Sequence, residues 1–386
     1  MFAADFEKAA MKYLHNIRLS YILTALFSLF LLSPVLAEET EKQETVTAEG
    51  QQEPDGAEPK EEKFNAGKMI VEHITDAHDW HLWGEGESTV AIPLPVILYT
   101  DKGLDVFMSS NFHHGHEKVE GKYTYALEEG KVVAVNADGT VNEEANAHIY
   151  DFSITKNVAS LMFSACLLLF VFLSMANAYK RNPNKAPKGL QSFMEPIILF
   201  VRDDIAKQNI GPKYERYMPY LLTVFFFIWF NNLLGLVPFA PGGANLTGNI
   251  TVTMFLALLT FIIILFSSNR HYWHHIFAMP GVPLPILFIL TPIEILGVFL
   301  RPFVLMIRLF ANITAGHIIA LSFFCLIFIF GEMHAGAGFG AGLLAVAFNT
   351  FMGVMELLVA LIQAYVFTLL SAMYFGSAVE EPHGHH

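Results

Sequence analysis

The stretch Met306–Ile319, "MIRLFANITAGHII", lies inside a long apolar run and places an arginine, an asparagine and a histidine where a membrane helix carries aliphatic side chains. A guanidinium stays protonated in proteins, so Arg308 brings a permanent charge into this run. Burying such a group costs several kcal/mol, and ionisable residues at membrane depth mark ion paths by default. The rest of the chain has to supply the reason for that charge.

The chain of 386 residues is 54% hydrophobic and 13% aromatic, with a mean hydropathy of +0.44. Its apolar residues collect in runs of about twenty, enough to cross roughly 30 Å of hydrocarbon at about 1.5 Å per residue. This is the composition of an integral membrane protein, with the lipid membrane as its first partner. The net charge of −13 arises mostly in the N-terminal part. No basic patch interleaved with aromatics is present, so nucleic acid is not an expected partner. Phosphate-loop, HExxH, GxSxG and CxxC motifs are absent, so no covalent catalysis, cofactor or metal is expected. Cys166 and Cys325, each inside an apolar run, read as inert packing residues.

Residues 1–37 read as a signal peptide. Lys12, His15 and Arg18 form a basic start, "YILTALFSLFLL" an apolar core, and "PVLA" a small-residue cleavage site; an uncleaved anchor helix is the rival reading. Residues 38–66 are rich in Glu, Gln, Pro and Gly and read as a disordered acidic linker. Residues 67–152 carry β-branched and aromatic runs, "VAIPLPVILYT", "KYTYALEEGKVVAV" and "HIYDFSI", broken by turn signals such as "ADGT". They predict a small strand-rich extracytoplasmic domain. Its histidines, His73, His78, His81, His113, His114 and His116, raise a metal reading, but "HHGH" lacks a helical ligand pair and reads as a solvated loop.

Residues 153–379 form the membrane domain, with 380–386 a cytoplasmic tail. Val158–Ala178, "MPYLLTVFFFIWFNNLLGLVP" and "ITVTMFLALLTFIIILF" read as spans. Pro196–Gly211 mixes apolar residues with Arg202, Asp203, Asp204 and Lys207 and reads as an interfacial helix. Lysines and arginines flank the inner ends of the first three spans, whereas 239–249 and 331–342 carry none. The positive-inside rule then places the mature N-terminus outside and the C-terminus inside, as the signal peptide also requires.

Two further apolar stretches, about 285–330 and 343–375, are too long for ordinary spans. They predict two steeply tilted helices joined through "GEMHAGAGFGAG", with Gly297 and Pro302 as possible breaks in the first. Asn349, Glu356 and Gln363 recur every seven residues and so share one face, as do Glu294, Arg301 and Arg308, with Asn312 one turn beyond. Arg301 is near enough to a helix end to snorkel; Arg308 and Glu356 are embedded. His317 and Glu356 can exchange protons, Asn312 and Gln363 can order water, and Arg308 can act only as a fixed positive wall. A proton wire interrupted by a permanent cation prevents a leak, and it needs a mobile acid from another chain.

At these residues the sequence resembles subunit a of the F-type ATP synthase. "RLFANITAGH" is similar to the signature around that family's essential arginine, and "MELLVALIQAYVFTLLSAMY" to its final helix. "VRDDIAKQNIG" with "YMPYLLTVFFFIWFNNLLGLVP" resembles its cytoplasmic helix and following span. The resemblance covers roughly 151–374. It implies an all-α polytopic fold of about five membrane helices plus an interfacial helix, behind the strand-rich domain. It also implies a non-catalytic stator subunit of a bacterial inner membrane, working beside the c-subunit ring, the peripheral-stalk b subunit and other ATP synthase subunits. Arg308 would ionise each ring carboxylate and separate two half-channels. Asn312 and Gln363 match polar positions near it, His317 and Glu356 the outer half-channel, and Glu294 the cytoplasmic one. Many bacterial members place the carboxylate and histidine in the reverse order. A secondary ion-coupled transporter is the alternative, although no internal repeat supports it. A haem cytochrome needs paired deep histidines, which the chain lacks.

Overall fold

The computed structural model describes residues 66–83, 90–115, 117–128, 130–136, 138–181, 186–237, 242–277, 279 and 282–380. The expected signal peptide, nearly all of the acidic linker, His116 and the last six residues lie outside them. The described residues fall into two compact units, one of 66–159 and 317–351, the other of 160–316 and 352–380.

The first unit opens with α1 (Ala66–Ile74), followed by β1 (Asp79–Trp83), β2 (Val90–Pro93), β3 (Pro95–Thr100) and β4 (Gly103–Met108). A 3-10 turn (Ser109–Gly115) leads to β5 (Val119–Glu120), β6 (Thr124–Glu128), β7 (Lys131–Val135), the short α2 (Glu143–Asn146) and β8 (Tyr150–Asp151). The strands make three small antiparallel sheets, β1–β2, β4–β3–β8 and β5–β6–β7. Thr100 pairs with Gly103 across a two-residue turn, where Gly103 takes φ 111°, a conformation that excludes most side chains. Alternation decides the faces: Val96 and Leu98 of β3 are fully buried beside Phe112, Tyr125 and Ala134. The Tyr125 hydroxyl donates to Asp105 at 2.7 Å, so the ring is buried without orphaning its polar tip.

The described histidines of this domain differ in their surroundings. His113 lies in the 3-10 turn, 3.5 Å from Glu117. His78 is buried rather than solvated, with Nδ1 3.0 Å from the Gly130 carbonyl and Nε2 2.8 Å from Asp151. Both ring nitrogens face acceptors, an arrangement that suits the doubly protonated imidazolium. Burial pulls its pKa down, but the hydrogen bond and charge of Asp151 outweigh it and hold it above 6.5. Asp151 is pushed up by burial and then pulled below its ordinary value by His78 and Ser153.

The membrane helices begin with α3 (Lys156–Arg181). Its first turn is tied to the preceding domain: Asp76 accepts from the Asn157 N–H at 3.0 Å, and Lys156 N–H donates to the Ala77 carbonyl at 2.8 Å. Asp76 thus serves a helix N-terminus whose amides have no partner within the helix. Next comes α4 (Leu190–Phe200), which widens into a π-helical turn at Val201–Lys207 and closes at Gln208–Ile210. Inside that turn Asp203 takes a fork from Arg202, at 3.0 and 2.8 Å, and the Lys207 ammonium at 2.6 Å. The π turn is not visible in the apolar pattern.

α5 (Tyr214–Gly235) and α6 (Ile250–Ser267) match the expected spans, and α7 (Arg270–Phe277) is a helix where the sequence suggested a loop. Then come α8 (Leu284–Met333), of 50 residues, and α9 (Ala335–Val379), of 45. Neither Gly297 nor Pro302 breaks α8, and Pro292 lies inside it too. In hydrocarbon every backbone group must be satisfied within the segment, so the cost of opening the helix exceeds that of one missing amide. Among the described residues, five helices are long and apolar enough to cross a membrane, in line with the expected number. The glycine-rich link is also helical, with only His334 between α8 and α9. Gly338 explains it: a Cβ there would lie 2.8 Å from the Cα of Gly331, so the helices meet backbone to backbone.

Two predictions follow from these contacts. His78, raised, stabilises fully below about pH 6.5 and loses its contribution as pH rises through its folded value; Asp151, depressed, stabilises above about pH 3.9 and loses it as pH falls. The stability difference between the wild type and His78→Gln is therefore largest between these limits and shrinks above pH 6.5. Thermal scans of both full-length chains across pH measure it, and parallel curves would sink the ion pair. Gly338→Ala is expected to destabilise by about 1–3 kcal/mol through overpacking. Gly340→Ala, which meets nothing within 4 Å, should be neutral or slightly stabilising in the same melts.

Candidate functional site

Arg308 sits in the second unit, on the outward side of α8. Leu305, Met306 and Leu309 turn inward and are buried, whereas Leu300, Val304, Ile307, Arg308 and Asn312 are exposed. These exposed positions follow helical spacing, so they form one stripe. α9 presents a similar apolar stripe through Val354, Met355, Leu358 and Leu361. Among the described residues, no carboxylate lies within ion-pair distance of Arg308. An exposed apolar surface carrying one unneutralised guanidinium can meet lipid only at high cost, but it suits an apolar partner that brings an acid.

Arg301, seven residues earlier, is held by two tyrosines. Its guanidinium donates to the Tyr272 hydroxyl of α7 at 3.2 Å and lies 5.5 Å from the Tyr374 ring centre of α9. That second contact is a cation–π interaction. Glu294 is half-buried one heptad before it.

Glu356 is half-buried, and its Oε1 has no hydrogen-bond partner in the protein. The room for that carboxylate comes from Gly316, where a Cβ would stand 2.8 Å from Oε1. Gln363, seven residues on, is buried, at 6% exposure. Asn349 of the same heptad series belongs to the other unit, and its Oδ1 is likewise buried without a protein partner. Buried polar atoms as a rule are hydrogen-bonded, so those left over by the protein are suited to bind water.

His317 also belongs to the other unit, where it is half-buried. The groups whose charge acts on its ring there are His73 and Lys156.

The sequence reading gave no role to the buried polar seam beside Glu356. Asn231 and Asn232 end α5 and are almost fully buried. Asn232 donates to the Ala360 carbonyl of α9 at 3.4 Å and accepts from Thr247. Thr314 of α8 donates to the Gly248 carbonyl at 3.3 Å. Asn231 Oδ1 and Asn245 Nδ2 remain without protein partners. The paired asparagines in "FNN", inside an apolar run, were the available signal. Cys325 is buried as expected, whereas Cys166 lies exposed on α3.

Comparison with known proteins bears on the chain in two parts. The family model described as ATP synthase A chain matches residues 159–376, and a domain of unknown function (DUF8433) matches 69–152. An ATP synthase subunit a of Chloroherpeton thalassium is 44% identical over 246 residues, covering 61% of this chain and 71% of the relative. One of Pelodictyon phaeoclathratiforme is 39% identical over 280 residues, 71% of this chain and 80% of the relative. One of Anaeromyxobacter is 40% identical over 243 residues, 61% of this chain and 56% of the relative. With more than half of its length matched by the family model, and with relatives this similar, the chain belongs to the family of subunit a of the F-type ATP synthase.

Proposed function

We propose that this chain is the ion-carrying stator subunit of an F-type ATP synthase, passing protons between two half-channels and a ring of c subunits. The observation that carries the reading is Arg308, a permanent cation on an exposed apolar stripe with no acid of the described residues within ion-pair distance. A carboxylate brought by a ring subunit completes that pair. Beside a guanidinium the carboxylate favours its ionised form, so it gives up its proton on approach and takes another after passing. Arg308 itself carries no proton onward, which keeps the two half-channels from joining.

Around it, Asn312 and Gln363 order water or hydrogen bonds, and neither can hold a net charge. His317 and Glu356 are assigned to the outer half-channel and Glu294 to the cytoplasmic one. The exposed stripes of α8 and α9 supply the apolar bearing surface for the ring, and the peripheral-stalk b subunit holds the chain against rotation. The protein is a multi-pass subunit of a bacterial inner membrane, with the N-terminal domain periplasmic and the C-terminus cytoplasmic. Lys180 and Arg181 in the last turn of α3, Lys188 after it, and Lys213 and Arg216 before and within the start of α5 support that orientation. Each proton crossing yields roughly 2.3 kcal/mol per 100 mV.

In membrane vesicles energised by an imposed proton gradient, Arg308→Ala and Arg308→Lys should each lower ATP synthesis about a hundredfold or more. The complex should still assemble, and the alanine variant should gain a passive proton leak. Near-normal synthesis in both variants would overturn the mechanism.

A further inference from the structure

The sheet β4–β3–β8 has two faces of opposite character. Alternation sends Val96 and Leu98 of β3 into the core of the N-terminal domain, and Asp151, opposite Leu98, with the buried Ser153 to that same side. The other face carries no charge. On β4 it presents Leu104, Val106 and Met108, all exposed, Val106 at 60%. Their partners in register on β3 are Tyr99, Ile97 and Pro95, of which Tyr99 is exposed too. Tyr99 pairs in turn with the exposed Tyr150 of β8.

This third row continues past the end of β8. The Phe152 N–H donates to the Ile97 carbonyl at 2.8 Å and the Ile154 N–H to the Pro95 carbonyl at 3.0 Å. Tyr150, Phe152 and Ile154 therefore stand beside Tyr99, Ile97 and Pro95 on one face. α3 begins two residues later, at Lys156, and its apolar run starts at Val158. Its first turn is fixed to the domain, because the Lys156 N–H is bonded to Ala77 and the Asn157 N–H to Asp76. The apolar face thus starts where the chain enters hydrocarbon.

An exposed apolar face of three rows marks an interaction site. Two features point to lipid as its occupant. One row runs into a helix long and apolar enough to span the bilayer, so the face begins within a few residues of the lipid boundary. Its other end holds Tyr99 and Tyr150, side chains with an apolar body and a polar tip, the type enriched at headgroup level. The acidic stretch before the domain, 38–65, offers only Val46 and Phe64 as large apolar residues, too few to cover it.

We propose that the N-terminal domain lies against the membrane by this face, with Leu104, Val106 and Met108 among the headgroups and upper acyl chains of the leaflet in which α3 begins. This gives the domain a second hold on the bilayer besides its covalent link to α3, and it does not depend on the path that protons take.

The test uses the full chain in its assembled complex, reconstituted in phosphatidylcholine vesicles that contain nitroxide-labelled phosphatidylcholine. With Cys166 and Cys325 replaced by alanine, a fluorescent label is attached at Val106→Cys and, as a second reading of the same face, at Leu104→Cys. Glu128→Cys, exposed on β6 in a different sheet, is the aqueous reference. The lipid nitroxide should quench the labels at 104 and 106 and spare the one at 128. Iodide, present on both sides of the vesicle, should quench 104 and 106 about fivefold less than 128, as insertion by roughly 5–10 Å requires. Equal iodide quenching at all three positions overturns the proposal, because the face is then in water. Shielding of 104 and 106 from both quenchers overturns it too, and assigns the face to a protein neighbour, whether another subunit or a second copy of this chain.

Discussion

A guanidinium in hydrocarbon cannot shed its charge, and the rest of the membrane domain is arranged around that constraint. α8 buries Leu305, Met306 and Leu309 on one side and leaves Arg308 on the other. Had the chain placed a carboxylate of its own beside Arg308, the pair would be satisfied and the helix inert. Instead its nearby acid, Glu356, faces Gly316, and the second arginine, Arg301, is held by a hydroxyl and an aromatic face rather than an acid. The charge at 308 is left available to another molecule.

The N-terminal domain handles its charges by pairing them within its own fold. Its core is small, and its joint with α3 is polar: Asp76 serves the start of that helix, and Lys156 the end of α1. Asp151, at the end of the strand that precedes α3, pairs with His78, which follows α1, so the bonds at this joint draw on both ends of the domain's sequence.

Much of this was legible in the residues. Runs of apolar side chains located the spans, because no other arrangement hides twenty such residues, and heptad spacing drew Glu294, Arg308, Glu356 and Gln363 out of the background. Gly297 and Pro302 stood out as possible breaks because their propensities are measured in water, where an opened helix can hydrate its amides; the favoured long helix is the one that forms. The glycine-rich link was read as a loop for the same reason, whereas its glycines serve a close backbone contact between Gly331 and Gly338 on either side of His334. The ion pair of His78 was not legible because its partners, Gly130 and Asp151, lie far along the chain. Asn231, Asn232 and Gly316 were in plain view, but their use depends on which helix lies opposite, and no local pattern records that.

The Gly316–Glu356 contact couples two positions forty residues apart. No side chain fits at 316 while a carboxylate occupies its present place, and a shorter residue at 356 would leave a hole where only a larger residue at 316 could compensate. A larger residue at 316 becomes easier once the acid at 356 has shortened or turned aside, so over evolutionary time the order of change is biased: the carboxylate moves first and the glycine is released after it.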